Sequence, residues 1–584
     1  MKRVPESGEG KARRKATGSY YTPPPVARFI CREALREYLA ARGGAKDLRR
    51  AVLDCRVCDP AAGDGALLVA MREEMAQAVE RLDRIIHGPR FAATPEYRRD
   101  LRDRIRGACL YGLDLQDEAV QACRRILGQS GPAKDTGLAK HILRSDSLLD
   151  PLPPAFAEVA RARGGFDVVI MNPPYLSYGL RGGQAATREW RAEIKRRYPE
   201  SAQYKISLYA VFMDCALSLA RPGGAFGFLT PDSFLLGRFF SNLRARILRT
   251  CDLRLILMFE RDFWKTGVVG RPVITVGRVR DHGAVSVRSA GFSPYSQGIP
   301  AVPRAIRAEA RTPNGVSVFT AALCKDLSAF ERGERTEYSY EQSYFDGTAH
   351  KRFRLFFRKE DKEFVDRMER GARPLGEVMR FASGLIGRRG QEAIVADEPR
   401  GPGWRKGIAS GADVAPYRVW WRGKYLNFDL AALKSGFKDA RYDAPKVMLR
   451  QTGDRLVAAY DPDGLYCLNN VHVGNVVKAM DGMDSMDGMD LSDEAVDPRV
   501  IVAILNSALM NRYYRLIALE QGRAMAQTDI DVIEGLPFKR PSPEDEAEII
   551  AAVDSLRDGR GAARDTRETK RRLDDLISRA YGMD

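Results

Sequence analysis

The chain is 584 residues long, room for about three or four folding units with their own cores, which excludes a small stapled scaffold. Lysine and arginine number 94 against 77 acidic residues, a net charge of +17, and a field of that sign makes nucleic acid the leading partner class. Nine cysteines and no apolar signal segment after Met1 suit a reducing cytoplasm. The longest apolar runs, near Leu253–Phe259 and Phe166–Met171, fall short of the roughly 18 residues that span a bilayer, so no membrane partner is expected.

Residues 1–16 are basic, Gly/Pro-punctuated and aperiodic, and read as a disordered arm. From residue 17 to 280 short apolar runs alternate with amphipathic stretches, the pattern of an α/β, doubly wound, Rossmann-like sheet. Strands are predicted at Val52–Cys58, Leu110–Asp114, His141–Arg144, Phe166–Met171, Ala225–Thr230, Leu253–Phe259 and Val273–Val279. Helices are predicted at Ala66–Ala78, Glu118–Leu127, Leu208–Leu219 and Asn242–Leu248. Cys55 and Cys58 form a C-x-x-C, but on one strand they point to opposite faces, and no second pair follows at zinc spacing; no metal site is expected. Residues 281–372 are weakly patterned and read as a partly helical connector. A β-rich domain is expected over 373–545, with a flexible acidic loop at Asp481–Asp490 and an apolar helix at Val500–Ile517. The last segment, 546–584, is charged and helical in period.

Chemistry concentrates at the ends of the first strands. Asp59-Pro60-Ala61-Ala62-Gly63-Asp64-Gly65 follows a strand and opens a helix, where glycines let the backbone turn tightly and approach a ligand. It lacks the third glycine of a dinucleotide fingerprint, and an acid there suits a cationic ligand such as S-adenosylmethionine. Asp114 and Asp146 end or follow later strands. Each acid alone reads as a cap or turn residue; three in succession make a nucleoside pocket. The strand Phe166–Met171 then runs into Asn172-Pro173-Pro174-Tyr175. Prolines fix φ and lack N–H groups, leaving loop carbonyls as unpaired acceptors. The Asn172 side-chain oxygen and the Pro173 carbonyl could take both N–H bonds of an exocyclic nucleobase amine, pull its nitrogen toward tetrahedral geometry and free its lone pair for attack on a sulfonium methyl. Tyr175 offers a face on which the base can stack.

Taken in order, Tyr21-Thr22-Pro23-Pro24, Asp59–Gly65, Asp114, Asp146 and Asn172–Tyr175 resemble the gamma class of amino-directed DNA methyltransferases, the Taq-type and Eco57I-type adenine-N6 enzymes. The resemblance implies an S-adenosylmethionine-dependent fold with a target-recognition domain at its C-terminal side, double-stranded DNA as partner and a flipped adenine as substrate. It places Thr22 and Pro23 at the methionine end of the cofactor, and Asp59, Ala61, Gly63 and Gly65 in the first cofactor motif. Asp114 matches the ribose-binding acid and Asp146 the residue that meets the cofactor's adenine; Asn172, Pro173, Pro174 and Tyr175 match the catalytic tetrapeptide. Phe263 matches the second base-stacking aromatic, with Trp264 beside it as the other choice. Between Gly65 and Asp114 the spacing is longer than the minimal fold needs, and the charged excess over Glu73–Arg106 reads as an inserted helical pair.

The β-rich domain resembles the same enzymes more loosely, through Ser383–Arg389, Ser410–Tyr417, Pro445–Met448 and the stretch from Ile504 to Pro537. Arg388, Arg389, Arg422 and Lys424 are its candidate DNA contacts, the last two interleaved with Trp420, Trp421 and Tyr425. A core aromatic pair with solvated basic neighbours fits that stretch equally well. Only about twenty residues precede Thr22, too few for a nuclease domain, so a restriction or defence partner is expected on a separate chain; an asymmetric target suits a monomer. The rival readings are an RNA or protein-glutamine methyltransferase and a non-catalytic DNA-binding defence component.

Overall fold

The computed structural model describes residues 21–40, 42–88, 90–128, 136–178, 187–203, 206–263, 270–281, 317–436, 442–477, 496–518, 528–559 and 563–583. The basic arm, Trp264 and the acidic loop at 481–490 lie outside them. The chain divides into two units, Met1–Phe356 and Phe357–Asp584.

The first unit is built in chain order from α1 (Pro24–Leu39), α2 (Ala45–Asp54), β1 (Val57–Asp59), α3 (Ala66–His87), α4 (Pro95–Cys109), β2 (Leu110–Asp114), α5 (Asp117–Gly128), β3 (Ile142–Arg144), α6 (Pro154–Arg163) and β4 (Phe166–Met171). There follow α7 (Arg188–Arg197), α8 (Leu208–Leu219), β5 (Ala220–Pro231), α9 (Ser241–Thr250), β6 (Cys251–Phe259), β7 (Pro272–Val279), β8 (Val318–Cys324) and β9 (Thr336–Glu341). The nine strands form one sheet in the order β9-β8-β6-β7-β5-β4-β1-β2-β3. From β5 to β3 all neighbours are parallel, so their carboxyl ends share one edge. β7 runs antiparallel between β5 and β6.

Burial on both faces explains the continuous apolar reading of β4. Val168 and Ile170 enter the core covered by α1 to α5, whereas Phe166, Val169 and Met171 enter the core shared with α6, α7, α8 and α9. At roughly 1.5–3 kcal/mol for each fully buried side chain, this strand is a main stabilising element. Its one charge, Asp167, is fully buried and held by Arg163 (2.8 Å), Arg221 (2.7 Å) and the backbone N–H of Arg56 (2.9 Å).

Several boundaries differ from the sequence reading. Val52, Leu53 and Asp54 end α2, and the strand is only Val57–Asp59. Cys55 and Cys58 still cannot chelate together, because Cys55 joins the core on one face of the sheet and Cys58 the core on the other. The charged excess before Asp114 is helical, as the long C-terminal part of α3 together with α4. The expected connector is divided: 317–356 falls in the first unit and supplies β8 and β9 to its sheet, while α10 (Lys359–Glu369) falls in the second.

The second unit continues with β10 (Met379–Ser383), β11 (Val395–Ala396), β12 (Trp404–Ile408), β13 (Tyr425–Asn427), β14 (Lys446–Arg450), β15 (Ala458–Asp461), β16 (Tyr466–Cys467) and β17 (Val471–Val476). Two four-stranded sheets are formed, β10-β17-β14-β15 and β11-β13-β12-β16. Then come α11 (Pro498–Asn506), α12 (Ala508–Ala518), α13 (Pro543–Asp558) and α14 (Ala563–Ala580). The single helix expected over 500–517 is broken at Ser507, whose hydroxyl donates to the Ile504 carbonyl (2.8 Å) and accepts from Met510 N–H (3.1 Å), capping a new helix. The last two helices share a core with β10 and β14. Among the described residues no helix is long and apolar enough to cross a membrane.

Candidate active site

Four strand ends meet at the carboxyl edge of the sheet, where open α/β sheets bind ligands. From β1 the chain turns sharply into α3. The Asp59 carboxylate accepts from Ala61 N–H (3.0 Å), an Asx turn, and its other oxygen has no hydrogen-bond donor among the described residues. Only 1% of Asp59 is exposed, and burial pushes its carboxyl up to about 8, helped by repulsion from Asp114 and Asp64. Gly65 caps α3 at φ +88°, and a Cβ there would lie 2.6 Å from Cys123 Sγ on α5, so no side chain fits. Ala62 N–H donates to the Leu113 carbonyl (2.8 Å) and Gly63 N–H to Asp114 (3.0 Å), fixing the glycine turn to the end of β2.

Asp114 also accepts from Gln116 N–H (2.8 Å). Asp146, after β3, accepts from Leu148 N–H (2.9 Å) and Leu149 N–H (3.3 Å). Burial raises both carboxyls despite these bonds. The three acids therefore organise the turns that carry them. A carboxylate oxygen bonded once keeps a second lone pair, so this structural duty leaves acceptors for a ligand.

The tetrapeptide leaves β4 at the same edge. Asn172 Nδ2 donates to Thr22 Oγ1 (3.0 Å), and the Tyr175 hydroxyl shares its proton between Asn172 Oδ1 (2.8 Å) and the Leu229 carbonyl at the end of β5 (3.1 Å). The amide is thus held at both of its atoms. Pro173 is buried, and its carbonyl accepts no hydrogen bond from the described residues. Thr22, 4% exposed, touches the Asn172 amide, and Pro23 caps α1. Tyr175 meets Tyr209 edge-on (6.4 Å), Tyr209 bonds Ser233 (2.7 Å), and its ring lies 5.6 Å from Phe240. Sequence analysis covers Tyr209 only as part of the predicted helix Leu208–Leu219. Its buried position beside Tyr175 and the part played by Leu229 carry no sequence signal.

Phe263 is placed differently. It packs edge-on against Phe259 (5.0 Å) and joins the core on the α1-to-α5 face, whereas Tyr175 packs against the core of the other face. No ring contact joins Phe263 to Tyr175 among the described residues.

In the second unit, Trp420 and Trp421 are 37% and 38% exposed, which removes the core-pair reading. Arg422 lies over Trp420 (5.7 Å) and pairs with Asp413 (3.5 Å); Lys424 pairs with Asp397. Lys406 lies over Trp421 (4.7 Å). Arg388 is exposed and donates to the Leu433 carbonyl (3.2 Å), and Arg389 is exposed with no side-chain partner among the described residues.

Residues 108–264 match the Eco57I restriction-modification methylase family, and residues 406–538 match the TaqI-like C-terminal specificity domain. The chain joins an Eco57I-type methylase domain to a TaqI-like specificity domain. The methylase match contains Asp114, Asp146 and Asn172–Tyr175 but begins after the glycine turn. Relatives include the Type II methyltransferase M.PaeR7I of Pseudomonas aeruginosa, 24% identical over 45% of this chain and 40% of its own. Another is the Type II restriction enzyme and methyltransferase RM.Eco57I of Escherichia coli, 23% identical over 37% and 23%. The matches thus span well under half of these relatives. Among solved structures, the Type IIL restriction-modification enzyme MmeI in complex with DNA gives a TM-score of 0.55 at 12% identity, covering 98% of this chain and 75% of that one. The DrdV–DNA complex gives 0.53 at 13%, covering 94% and 58%. These two likenesses show the fold.

Proposed function

We propose that this chain is a restriction-modification DNA methyltransferase that methylates the N6 amine of an adenine turned out of duplex DNA. The observation that carries the reading is the pair of oxygen acceptors, Asn172 Oδ1 and the Pro173 carbonyl, at the sheet edge shared with the Asp59–Gly65 turn. An oxygen has two lone pairs, so Asn172 Oδ1 can bond Tyr175 and still accept an N–H of the amine. Pro173 accepts the other. With both N–H bonds drawn toward oxygen, the nitrogen lone pair leaves the ring system and becomes the nucleophile. Thr22 and Tyr175 hold the amide, so little reorganisation accompanies the reaction. Tyr175 also supplies the stacking face, and Phe263 is the second stacking residue in this reading. Flipping is required because a stacked, paired adenine cannot bring its amine to the sheet edge.

The cofactor is S-adenosylmethionine, which when bound supplies the electrophilic methyl on a sulfonium. The donor set fits it: Asp59 offers a buried acceptor with no protein donor, suited to a cationic group, and Asp114 offers spare lone pairs suited to a ribose diol. Asp146 offers the same toward an adenine. In this reading Arg388, Arg389, Arg422 and Lys424 of the specificity domain are the phosphate and groove contacts. The test is transfer of tritiated methyl groups to unmodified duplex DNA, followed by digestion to nucleosides. Label in N6-methyl-2′-deoxyadenosine is the expected result; no transfer, or label only in cytosine, RNA or protein, overturns it.

A further inference from the structure

Helix α7 follows the tetrapeptide loop in sequence and was not singled out by any motif. Thr187 Oγ1 caps it by accepting from Trp190 N–H (3.1 Å), and Ile194, fully buried, anchors it to the core. Its last turn is fixed to the loop that carries Asp146. Arg197 donates to the Leu149 (2.7 Å) and Leu148 (3.4 Å) carbonyls, and the Tyr198 hydroxyl donates to Leu148 (3.1 Å). Asp146 caps the N–H groups of that same turn, so α7 is tied to the sheet edge where the site lies.

At about 100° per residue, Trp190, Ile194 and Arg197 define one side of the helix and Arg188, Arg191 and Lys195 fall within an arc of about 60° on the other. All three cations are exposed, and none has a side-chain hydrogen bond or acidic partner among the described residues. Arg196 and Arg197 contrast with them, being paired with Glu193 at 2.7 and 2.5 Å. Like charges three and four residues apart repel, and Arg188 sits unfavourably at the positive end of the helix dipole. A polyanion relieves both effects. The three side chains span about 10 Å along the axis, and phosphates of one DNA strand recur about every 3.4 Å of duplex axis. The face holds no large exposed apolar residue that would enter a lipid surface.

We propose that this face of α7 grips about three consecutive phosphates of duplex DNA beside the target base, giving the methylase unit a DNA contact of its own. The inference rests on the methyltransferase reading above. It is tested on the full chain by replacing Arg188→Gln, Arg191→Gln and Lys195→Gln together and measuring duplex affinity by anisotropy over a salt series. At about 0.9 per phosphate contact, the slope of log affinity against log salt should fall by about 2–3. The turnover number at saturating DNA, the thermal melting and S-adenosylmethionine affinity should stay near wild type. Arg196→Gln, which removes a cation that pairs with Glu193 and lies outside the proposed face, should leave the slope unchanged. A triple variant with wild-type slope, or an Arg196→Gln variant that loses as much as each α7-face substitution, overturns the proposal, as does a slope loss seen with RNA but not DNA. If the wild-type chain methylates duplex DNA while the triple variant keeps its slope, only the α7 assignment fails. If the wild-type chain neither binds nor methylates DNA, the methyltransferase reading fails with it.

Discussion

The two units handle polar groups in opposite ways. At the sheet edge of the methylase unit, Asp59, Asp114, Asp146 and Asn172 are each bonded to a neighbouring backbone or side-chain group, and their remaining lone pairs are fixed in direction. In the specificity unit the candidate DNA-binding cations Arg388, Arg389 and Arg422 are exposed and Lys424 is half-buried, and two of the four, Arg422 and Lys424, lean on carboxylates. Chemistry needs acceptors that do not move during reaction. Recognition of a polyanion tolerates mobile cations that exchange one anion for another. Substitutions should therefore act steeply and locally in the first unit and shallowly in the second.

The steepest effect is expected at Asn172. Asn172→Ala should lower turnover by at least about 10²–10³-fold, the loss typical of removing one preorganised hydrogen-bonding group. S-adenosylmethionine affinity by calorimetry should change little. Methylation near the wild-type rate would remove the contrast between the units along with the mechanism.

The specificity unit also holds polar contacts of the rigid kind. Lys446 and Asp461 form an ion pair with neither side chain exposed; Lys446 also donates to the Tyr442 carbonyl (2.6 Å), and Asp461 accepts from Asp463 and Leu465 N–H groups. Lys446→Met strands a buried carboxylate and should destabilise this unit by about 3–5 kcal/mol. Chemical denaturation followed by tryptophan fluorescence reads it, since Trp404, Trp420 and Trp421 all lie there. A loss below about 1 kcal/mol would mean that the pair is solvated on the scale of a surface bridge.

How far the sequence reached follows the same division. β4 and its tetrapeptide were legible because a strand buried on both faces reads as an unbroken apolar run and two prolines end it unambiguously. Val52 and Leu53 misled because a short apolar run does not distinguish the last turn of α2 from the first residues of β1. β9, Thr336–Glu341, is a polar edge strand with only Tyr340 buried, so nothing in its composition lifted it out of the connector. Asp59, Asp114 and Asp146 were found as strand-end acids, but their service as turn organisers is a matter of hydrogen-bond partners. The unpaired face of α7 was missed for a related reason: sequence shows where cations recur, and only the fold shows which lack a carboxylate.

Asp59 gives a sharper, intermediate test. With its carboxyl raised to about 8 by burial, the folded unit holds a proton there at neutral pH that the unfolded chain releases near the ordinary carboxylate range. The folded state thus binds more protons between about pH 4 and 8, and this group's contribution to stability falls as pH rises through that window. A cationic ligand favours the ionised form, so S-adenosylmethionine affinity should rise by up to about tenfold per pH unit below about 8 and level off above it. Binding should release a proton, seen as a dependence of the calorimetric heat on buffer ionisation enthalpy. Asp59→Asn should remove both effects. A flat affinity profile in the wild type would place the positive charge of the cofactor elsewhere.

The smallest effect concerns the carboxylates of the specificity unit. Asp413 pairs with Arg422, itself stacked on Trp420, and Asp397 pairs with Lys424, whose carbonyl accepts from Trp421 Nε1 (2.6 Å). If these cations meet phosphate, each must first leave its carboxylate, so the acids oppose binding. Asp413→Asn combined with Asp397→Asn should then strengthen duplex affinity by a few-fold at low salt and steepen the salt slope by up to about 0.9 for each cation newly committed to phosphate. Arg422→Gln combined with Lys424→Gln should shift both quantities the other way. Because exposed pairs contribute little to stability, neither double variant should move the denaturation midpoint, which separates this test from the Lys446 experiment. If the Asp variants weaken binding instead, the carboxylates hold Arg422 and Lys424 in their binding geometry. Recognition would then rest on preorganisation of the same kind as catalysis, and the contrast between the two units would be one of exposure alone.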